Sequence, residues 1–481
     1  MLTPGQEISP LYLRTLRQTL RDIILPEVKS PAGRNAANLC DYIFVRMIAA
    51  LEELPQIQAA HSAGYERLMT QAAQLTGTSA PVSGKPVWGV AKDVQTVVPA
   101  LFEKLSSGSE TDARAAAKIL AQIGAEEASF RKDYETAYKN AESKSEPLPL
   151  ALLVSADAAQ KYLDHRFGGE VRITNCHQIP GGRSKLTVLL SVEPNKHIPE
   201  DMVMRIDGPG SAINTTVLDE FPILDAMFKA GVSAPEPLWV ETNTKYLGAP
   251  FLVMRRMPGA AAGDLWGAQK VAPTIGLALA EALASVHKAS VPAIWPDAPR
   301  DARDAVRNMI ASFEHSWRDG GDVTHSLGME TAYGWLRRNL PCIDGPTVAV
   351  HGDAHFANLL AENDKLVCLL DWEFTHPGHA ADDLAYCRPY VETIMPWNDF
   401  LAHYRDHGGR AVTDEQLRFF DVWGYLRNIT FGANMLRDFA GGKVHGIQNL
   451  AIALNTRAKL EALLSKTISA ALARDAENAK P

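Results

Sequence analysis

The chain has 481 residues, 46% of them hydrophobic and 22% charged, with a formal net charge of −8. That length exceeds one ordinary core and predicts two or three domains. The acidic balance argues against nucleic acid or an anionic membrane as the main partner. No apolar run reaches the roughly 18 residues of a membrane span, and the N-terminus carries charges where a signal peptide needs an apolar core. Five scattered cysteines without a CxxC pair suit reduced thiols in a cytoplasm.

Residues 1–142 read as helix throughout. In "NLCDYIFVRMIAALEEL", Leu39, Ile43, Met47, Leu51 and Leu54 share one face by steps of three and four. A second helix is expected after Ser109, an N-cap residue by type, with Ile119, Ile123, Phe130, Tyr134 and Tyr138 at helical spacing. Strict heptads are missing, so a compact helical bundle is expected. Residues 143–150, in "NAESKSEPLPL", read as a linker between separate cores. After the helical "DAAQKYLDHRF", the texture turns to strand in "EVRITNCHQI", "SKLTVLLSVE", "DMVMRID" and "APFLVMRRM". The helical run "TTVLDEFPILDAMFKAG" separates the third from the fourth. Beyond residue 270 helix dominates, except in "TVAV" and "KLVCLLDW". The expected order is a helical domain (1–142), a small sheet-bearing lobe (151–258) and a large helical lobe (259–481), an α+β chain.

The chemistry concentrates in "VAVHGDAHFANLLAENDKLVCLLDWEF", residues 348–374. His351, Asp353 and His355 alternate, as in a metal-hydrolase cluster, but two histidines four apart share a face only on a helix, and this segment reads as a loop. The downstream "HPGH", His376 and His379, sits at a Pro-Gly turn and is no better a ligand set. Phosphoryl transfer explains more residues. It needs a carboxylate for the attacking hydroxyl, and an amide oxygen with a second carboxylate to hold magnesium. Asp353, Asn358 five residues later, and Asp371 at the end of the returning strand of a hairpin supply these.

The segments "HGDAHFANLL", "VCLLDWEF" and "HAADDLAY" resemble the aminoglycoside phosphotransferase (choline kinase-like) family, and within it the branch related to the kinase domain of acyl-CoA dehydrogenase fusion proteins. "GGRSKLT" resembles that branch's glycine loop, "APFLVMRRMPG" its adenine-binding hinge strand and "ALASVHKAS" its lobe-connecting helix. The resemblance covers about residues 150 to 440. It implies a bilobal protein-kinase-like fold, with a small antiparallel sheet in the N-lobe and a helical C-lobe, preceded here by an all-α domain. It implies Asp353 as catalytic base, Asn358 and Asp371 as Mg2+ ligands, His351 as a structural residue and Asp383 as the acid that pins the loop. For the nucleotide it implies Gly181, Gly182 and Ser184 at the phosphates and Met257 and Arg255 in the hinge. Arg205 takes the place of the strand lysine, with Glu220 as its partner. Lys185 replaces an Asn, either as a phosphate contact or as a solvated charge. Arg255 replaces a commonly acidic residue, which leaves GTP open beside ATP. Glu373 either organises the metal site or caps a surface turn, and His355 is either a polar loop residue or a substrate contact.

Between Tyr386 and Phe439 stand 11 of the chain's 36 aromatic residues, and from Asp382 onward twelve acids meet twelve bases. A polycationic acceptor would need an acidic surplus, so an apolar or amphipathic alcohol fits better; the resemblance points to a hydroxyacyl-CoA. The expected activity is ATP- and Mg2+-dependent phosphorylation of a small-molecule hydroxyl. The alternatives are an aminoglycoside- or macrolide-type antibiotic phosphotransferase and a non-catalytic kinase-like binding module that uses the N-terminal helical domain for a protein partner or self-association.

Overall fold

The computed structural model describes residues 10–29, 31–79, 91–142, 154–179, 185–207, 215–264, 270–319, 326–440 and 447–478. The expected linker at 143–150 and the glycine turn with Gly181, Gly182 and Ser184 lie outside the described residues. The chain forms two compact units, Met1–Ala151 with Ile310–Leu340 and Tyr425–Pro481, and Leu152–Met309 with Pro341–Gly424. This partition differs from the sequence reading of 259–481 as a single lobe and of 1–142 as a self-contained core. Nothing local marks the difference, because an amphipathic helix buries its stripe equally well against either core. No helix among the described residues is long and apolar enough to cross a membrane.

The first unit is helical. The helix Glu110–Glu142 begins where expected, with the Ser109 hydroxyl accepting the Asp112 N–H at 3.1 Å. Its face of Ile119, Ile123 and Phe130 is buried. At its centre Arg131 donates to Glu127 at 2.9 Å and pairs with Glu461 of the helix Ile447–Asn478, all three shut away from water. Gly124 lies against that same helix; a Cβ there would come 2.9 Å from the Ser469 Cα. The helix Pro31–Glu52 exists, but its buried face is Ala37, Asp41, Val45 and Ile48, and Leu51 is exposed. Arg17 explains the displacement, because its guanidinium bonds Asp41 at 2.7 Å and lets a carboxylate occupy the inward position.

The second unit holds an antiparallel sheet of β1 (Ile173–Ile179), β2 (Lys185–Val192), β3 (Asp201–Asp207), β4 (Pro237–Glu241) and β5 (Phe251–Arg255), in the order β1-β2-β3-β5-β4. The period of two along β3 sends Met202, Met204 and Ile206 into a core with Val188, Leu190, Phe251 and Val253. It leaves Arg205 on the opposite face. The helix Val217–Lys229 follows β3 and starts with a capping box between Thr216 and Asp219, which fixes the rotation that turns Glu220 inward. The strand β4, "PLWVE", was not anticipated, since its proline reads as a turn residue; it sits on the sheet edge, where a missing N–H is tolerated. Further on, β6 (Ala260–Ala261), β8 (Leu359–Glu362) and β9 (Lys365–Leu369) form a second small sheet, and β7 (Val348–Val350) pairs with β10 (His376–Gly378).

Candidate functional site

The loop between β7 and β8 is held by its backbone. Asp383, near the start of the helix Ala381–Val391, accepts the His351 N–H at 2.7 Å and the Gly352 N–H at 2.8 Å. His287, from the helix Pro273–Lys288, meets the same carboxylate at 3.0 Å through Nε2 and Tyr404 at 2.7 Å through Nδ1. Burial pushes the Asp383 carboxyl up, but His287 and the loop amides outweigh it and hold the group below its ordinary value. Gly352 has φ +81°, and a Cβ would fall 2.6 Å from the Phe374 carbonyl, so only glycine makes this turn.

His351 is structural, as the resemblance implies. Its Nε2 donates to the Leu370 carbonyl at 3.0 Å, its Nδ1 accepts the Asp353 N–H at 3.3 Å, and burial lowers its pKa. Both ring nitrogens are engaged within the protein, and His351, Asp353 and His355 do not converge as a ligand group among the described residues.

Asp353 presents its carboxylate between two donors. The Asn358 amide donates to Oδ2 at 2.7 Å and the Tyr386 hydroxyl donates to Oδ1. His355 is buried, with Nε2 3.6 Å from Asp353 Oδ2, and its ring packs beside Tyr386 and Tyr390. The hairpin of β8 and β9 turns at Asn363 and Asp364, both with positive φ, and delivers Asp371 back to this space. Asp371 itself adopts φ 66°, ψ 68°, a left-handed conformation that costs a non-glycine residue energy and marks a constrained position.

Opposite the loop lies a cluster of charges. Arg205 donates to Asp371 at 2.7 Å and stands 3.6 Å from Glu220 and 3.7 Å from Glu373. Lys185, on β2, pairs with Glu373 and lies 3.4 Å from Glu220. Lys185 is 2% exposed, so the reading of it as a solvated charge is corrected: two carboxylates compensate its burial. The surface reading of Glu373 is corrected too. It is buried, and burial with the Asp371 charge raises its pKa against the pull of Arg205 and Lys185. Glu220 was expected to partner Arg205; it stands between Arg205 and Lys185, and the closer partner of Arg205 is Asp371. The Arg205 Nε is buried with no hydrogen-bond partner among the described residues.

Asn358 and Asp371 offer hard oxygen donors, the ligand type magnesium prefers, and a guanidinium already occupies Asp371 as a stand-in cation. The donor set fits the ion. In the hinge, Arg255 closes β5 and turns outward to Glu236 at 2.6 Å, while Met257 follows the strand half-buried. Sequence reasoning missed three contacts: Tyr386 on Asp353, Lys185 with Glu373, and His287 on Asp383. Tyr386 and His287 stood inside recognised segments, but long-range hydrogen bonds leave no local pattern to read.

His379, also weighed as a ligand, is buried against Phe420 with rings 5.8 Å apart, and its Nδ1 accepts the Ala381 N–H at 3.1 Å. Burial pulls its pKa from 6.5 down to about 4. The unfolded chain therefore takes up this proton at higher pH than the folded one. The stability is complete above about pH 6.5 and is lost as pH falls toward 4, by up to about 3 kcal/mol. His379→Asn keeps an acceptor for Ala381 and is expected to show a shallower loss between about pH 7 and 4 than the wild type. Urea unfolding across that range checks it, and equal slopes would remove His379 from the acid response.

A sheet-bearing lobe with an arginine on its third strand, faced by a histidine-glycine-aspartate loop and a strand-terminal aspartate, is the arrangement of kinase-type phosphotransferases. The model of the phosphotransferase enzyme family (APH) matches residues 175–420, and the chain belongs to that family. Its class is that of enzymes that phosphorylate hydroxyl groups of small molecules. "Acyl-CoA dehydrogenase family member 11" of Rattus norvegicus is 24% identical over 265 residues, 53% of this chain and 33% of that protein. The chain thus spans a third or less of the length of the curated relatives it matches. Among solved structures, macrolide 2'-phosphotransferase MphH from Brachybacterium faecium is 16% identical, with 62% of this chain and 98% of that one covered and a TM-score of 0.43. A choline/ethanolamine kinase family protein from Mesorhizobium loti is 20% identical, with 67% and 99% covered and a TM-score of 0.45.

Proposed function

We propose that the chain transfers the γ-phosphoryl group of ATP to the hydroxyl of an apolar or amphipathic alcohol, most specifically a hydroxyacyl-CoA. The observation that carries this is the convergence of Asp353, Asn358, Asp371 and Arg205 on one space. In this reading Asp353 orients the acceptor hydroxyl and takes its proton, with Asn358 and Tyr386 fixing the carboxylate's direction. Asn358 and Asp371 hold Mg2+, which when bound neutralises phosphate charge. Arg205 and Lys185, backed by Glu220, contact the phosphates, and Gly181, Gly182 and Ser184 are the further phosphate contacts of this reading. Backbone groups around Arg255 and Met257 hold the base, and the outward turn of Arg255 leaves GTP as an alternative donor.

The acceptor class rests on the charge balance after Asp382 and on the relatives, whose names are those of acyl-CoA dehydrogenases. A polyamine needs several carboxylates to replace its hydration, whereas an apolar chain gains about 25 cal/mol per Å2 buried. Steady-state ADP release is expected with hydroxyacyl-CoA or a comparable hydrophobic alcohol, and little with kanamycin-like polycations. Robust turnover of an aminoglycoside with none of any thioester or apolar alcohol would reverse the assignment.

A further inference from the structure

The stretch "HYRDH" puts His403 and His407 four residues apart, in the helix Trp397–Asp406 and at its C-cap, a spacing that places both side chains on one face. Glu281 reaches them from the helix Pro273–Lys288. Its Oε1 lies 2.7 Å from His403 Nε2 and 3.6 Å from His407 Nε2, and the imidazole centroids are 4.3 Å apart. These residues lie outside the Asp353 and Arg205 clusters, and no local sequence pattern marks them, because Glu281 is more than 100 residues from His403.

The tautomer is settled by geometry. His407 Nδ1 lies 2.8 Å from the His403 carbonyl, which only accepts, so Nδ1 carries the proton. The neutral ring then points a bare Nε2 lone pair at a carboxylate oxygen. Two lone pairs face each other, and a second proton or a metal cation between them resolves the conflict. The Nδ1–H to carbonyl bond is also the outer support that metal-bound histidines use to orient the ligating nitrogen. Lys288 donates to the His407 carbonyl at 2.8 Å, so its charge is engaged at the helix end.

We propose that Glu281, His403 and His407 form a site for a divalent transition cation of the zinc type. Two imidazole nitrogens and one carboxylate oxygen suit zinc, nickel or copper, whereas magnesium prefers oxygen alone. Bonds of about 2.0–2.2 Å in a tetrahedron set ligand atoms about 3.4 Å apart. The His407–Glu281 separation is already close to that, and His403 needs to withdraw by about 0.7 Å. The Glu281 and His407 side chains are 50% and 41% exposed, leaving water to complete the coordination. The cation would tie two helices together, and His287 on one of them holds Asp383 beneath the catalytic loop. Binding is therefore expected to stabilise this unit.

The full chain, stripped of metal by chelation and free of nucleotide, is titrated with Zn2+ by calorimetry and with Co2+ by visible absorption. One saturable equivalent is expected, with a nitrogen and oxygen spectrum and a raised melting temperature. H403Q and H407Q should each weaken Zn2+ by more than the about 10–100-fold that loss of an outer support costs, and abolish the thermal shift. E281Q, a substitution at an exposed position, gives the same readout if a histidine variant fails to fold. Zn2+ binding unchanged across these variants, no saturable binding, or a thiolate charge-transfer band would each overturn the site.

Discussion

Asp353→Asn is expected to cut turnover by about 10²-fold or more with nucleotide affinity nearly unchanged. The substitution removes the proposed proton acceptor and also its alignment. Asp353 accepts from Asn358 on one oxygen and Tyr386 on the other, so an amide at this position sets one NH2 against a neighbouring donor. Asp371→Ala should behave differently. It removes a carboxylate proposed to hold Mg2+ and frees Arg205, so magnesium-dependent nucleotide binding should vanish together with turnover. Single-turnover kinetics for the first variant and calorimetry with a non-hydrolysable ATP analogue, with and without Mg2+, for the second separate the two roles. Full activity in Asp353→Asn would remove this loop from the chemistry.

Deleting residues 1–151 is expected to unfold the helix Ile447–Asn478, which shares a unit with the deleted segment, and to leave the second unit folded. The linker-like composition of 143–150 suggests two independent cores, but the helix Ile447–Asn478 depends on the N-terminal segment. Its Glu461 completes the buried ion group with Glu127 and Arg131, and Leu464, Ile468 and Leu472 are buried in the same unit. Removing Arg131 strands Glu461 without its charge partner, a change worth about 3–5 kcal/mol in buried settings. Each large aliphatic side chain returned to water adds about 1.5–3 kcal/mol. Together these reach about 7–14 kcal/mol, comparable with the usual margin of a whole domain. Limited proteolysis and hydrogen exchange of the truncated chain test this; full protection of residues 447–478 would show that the late helices stand alone.

The parts of the fold that could be read from sequence are those with local causes. Ser109 capped its helix, the alternation in "DMVMRID" put Arg205 off the core face, and Asn363-Asp364 made the hairpin turn. The candidate loop stood out in the sequence because Asp353, Asn358 and Asp371 lie in one short stretch, residues 348–374. Where causes are long-range the reading failed. Asp41 faces inward because Arg17 meets it, Lys185 is buried because Glu373 and Glu220 receive it, and the late helices cluster with the first ones through contacts more than 300 residues apart, as between Arg131 and Glu461. Spacing within one segment carries no trace of such partners.

The knot of Lys185 and Arg205 with Glu220, Asp371 and Glu373 has a consequence for how an anion enters. Both cations already have counterions inside the protein. An arriving polyanion meets no naked positive charge and must trade places with resident carboxylates, as on an ion-exchange resin. Affinity is then the difference between two ion-paired states, and added salt screens both of them. Binding of a triphosphate at this position should therefore respond to ionic strength far less than its four negative charges would suggest, and its selectivity should rest on shape and coordination rather than on charge.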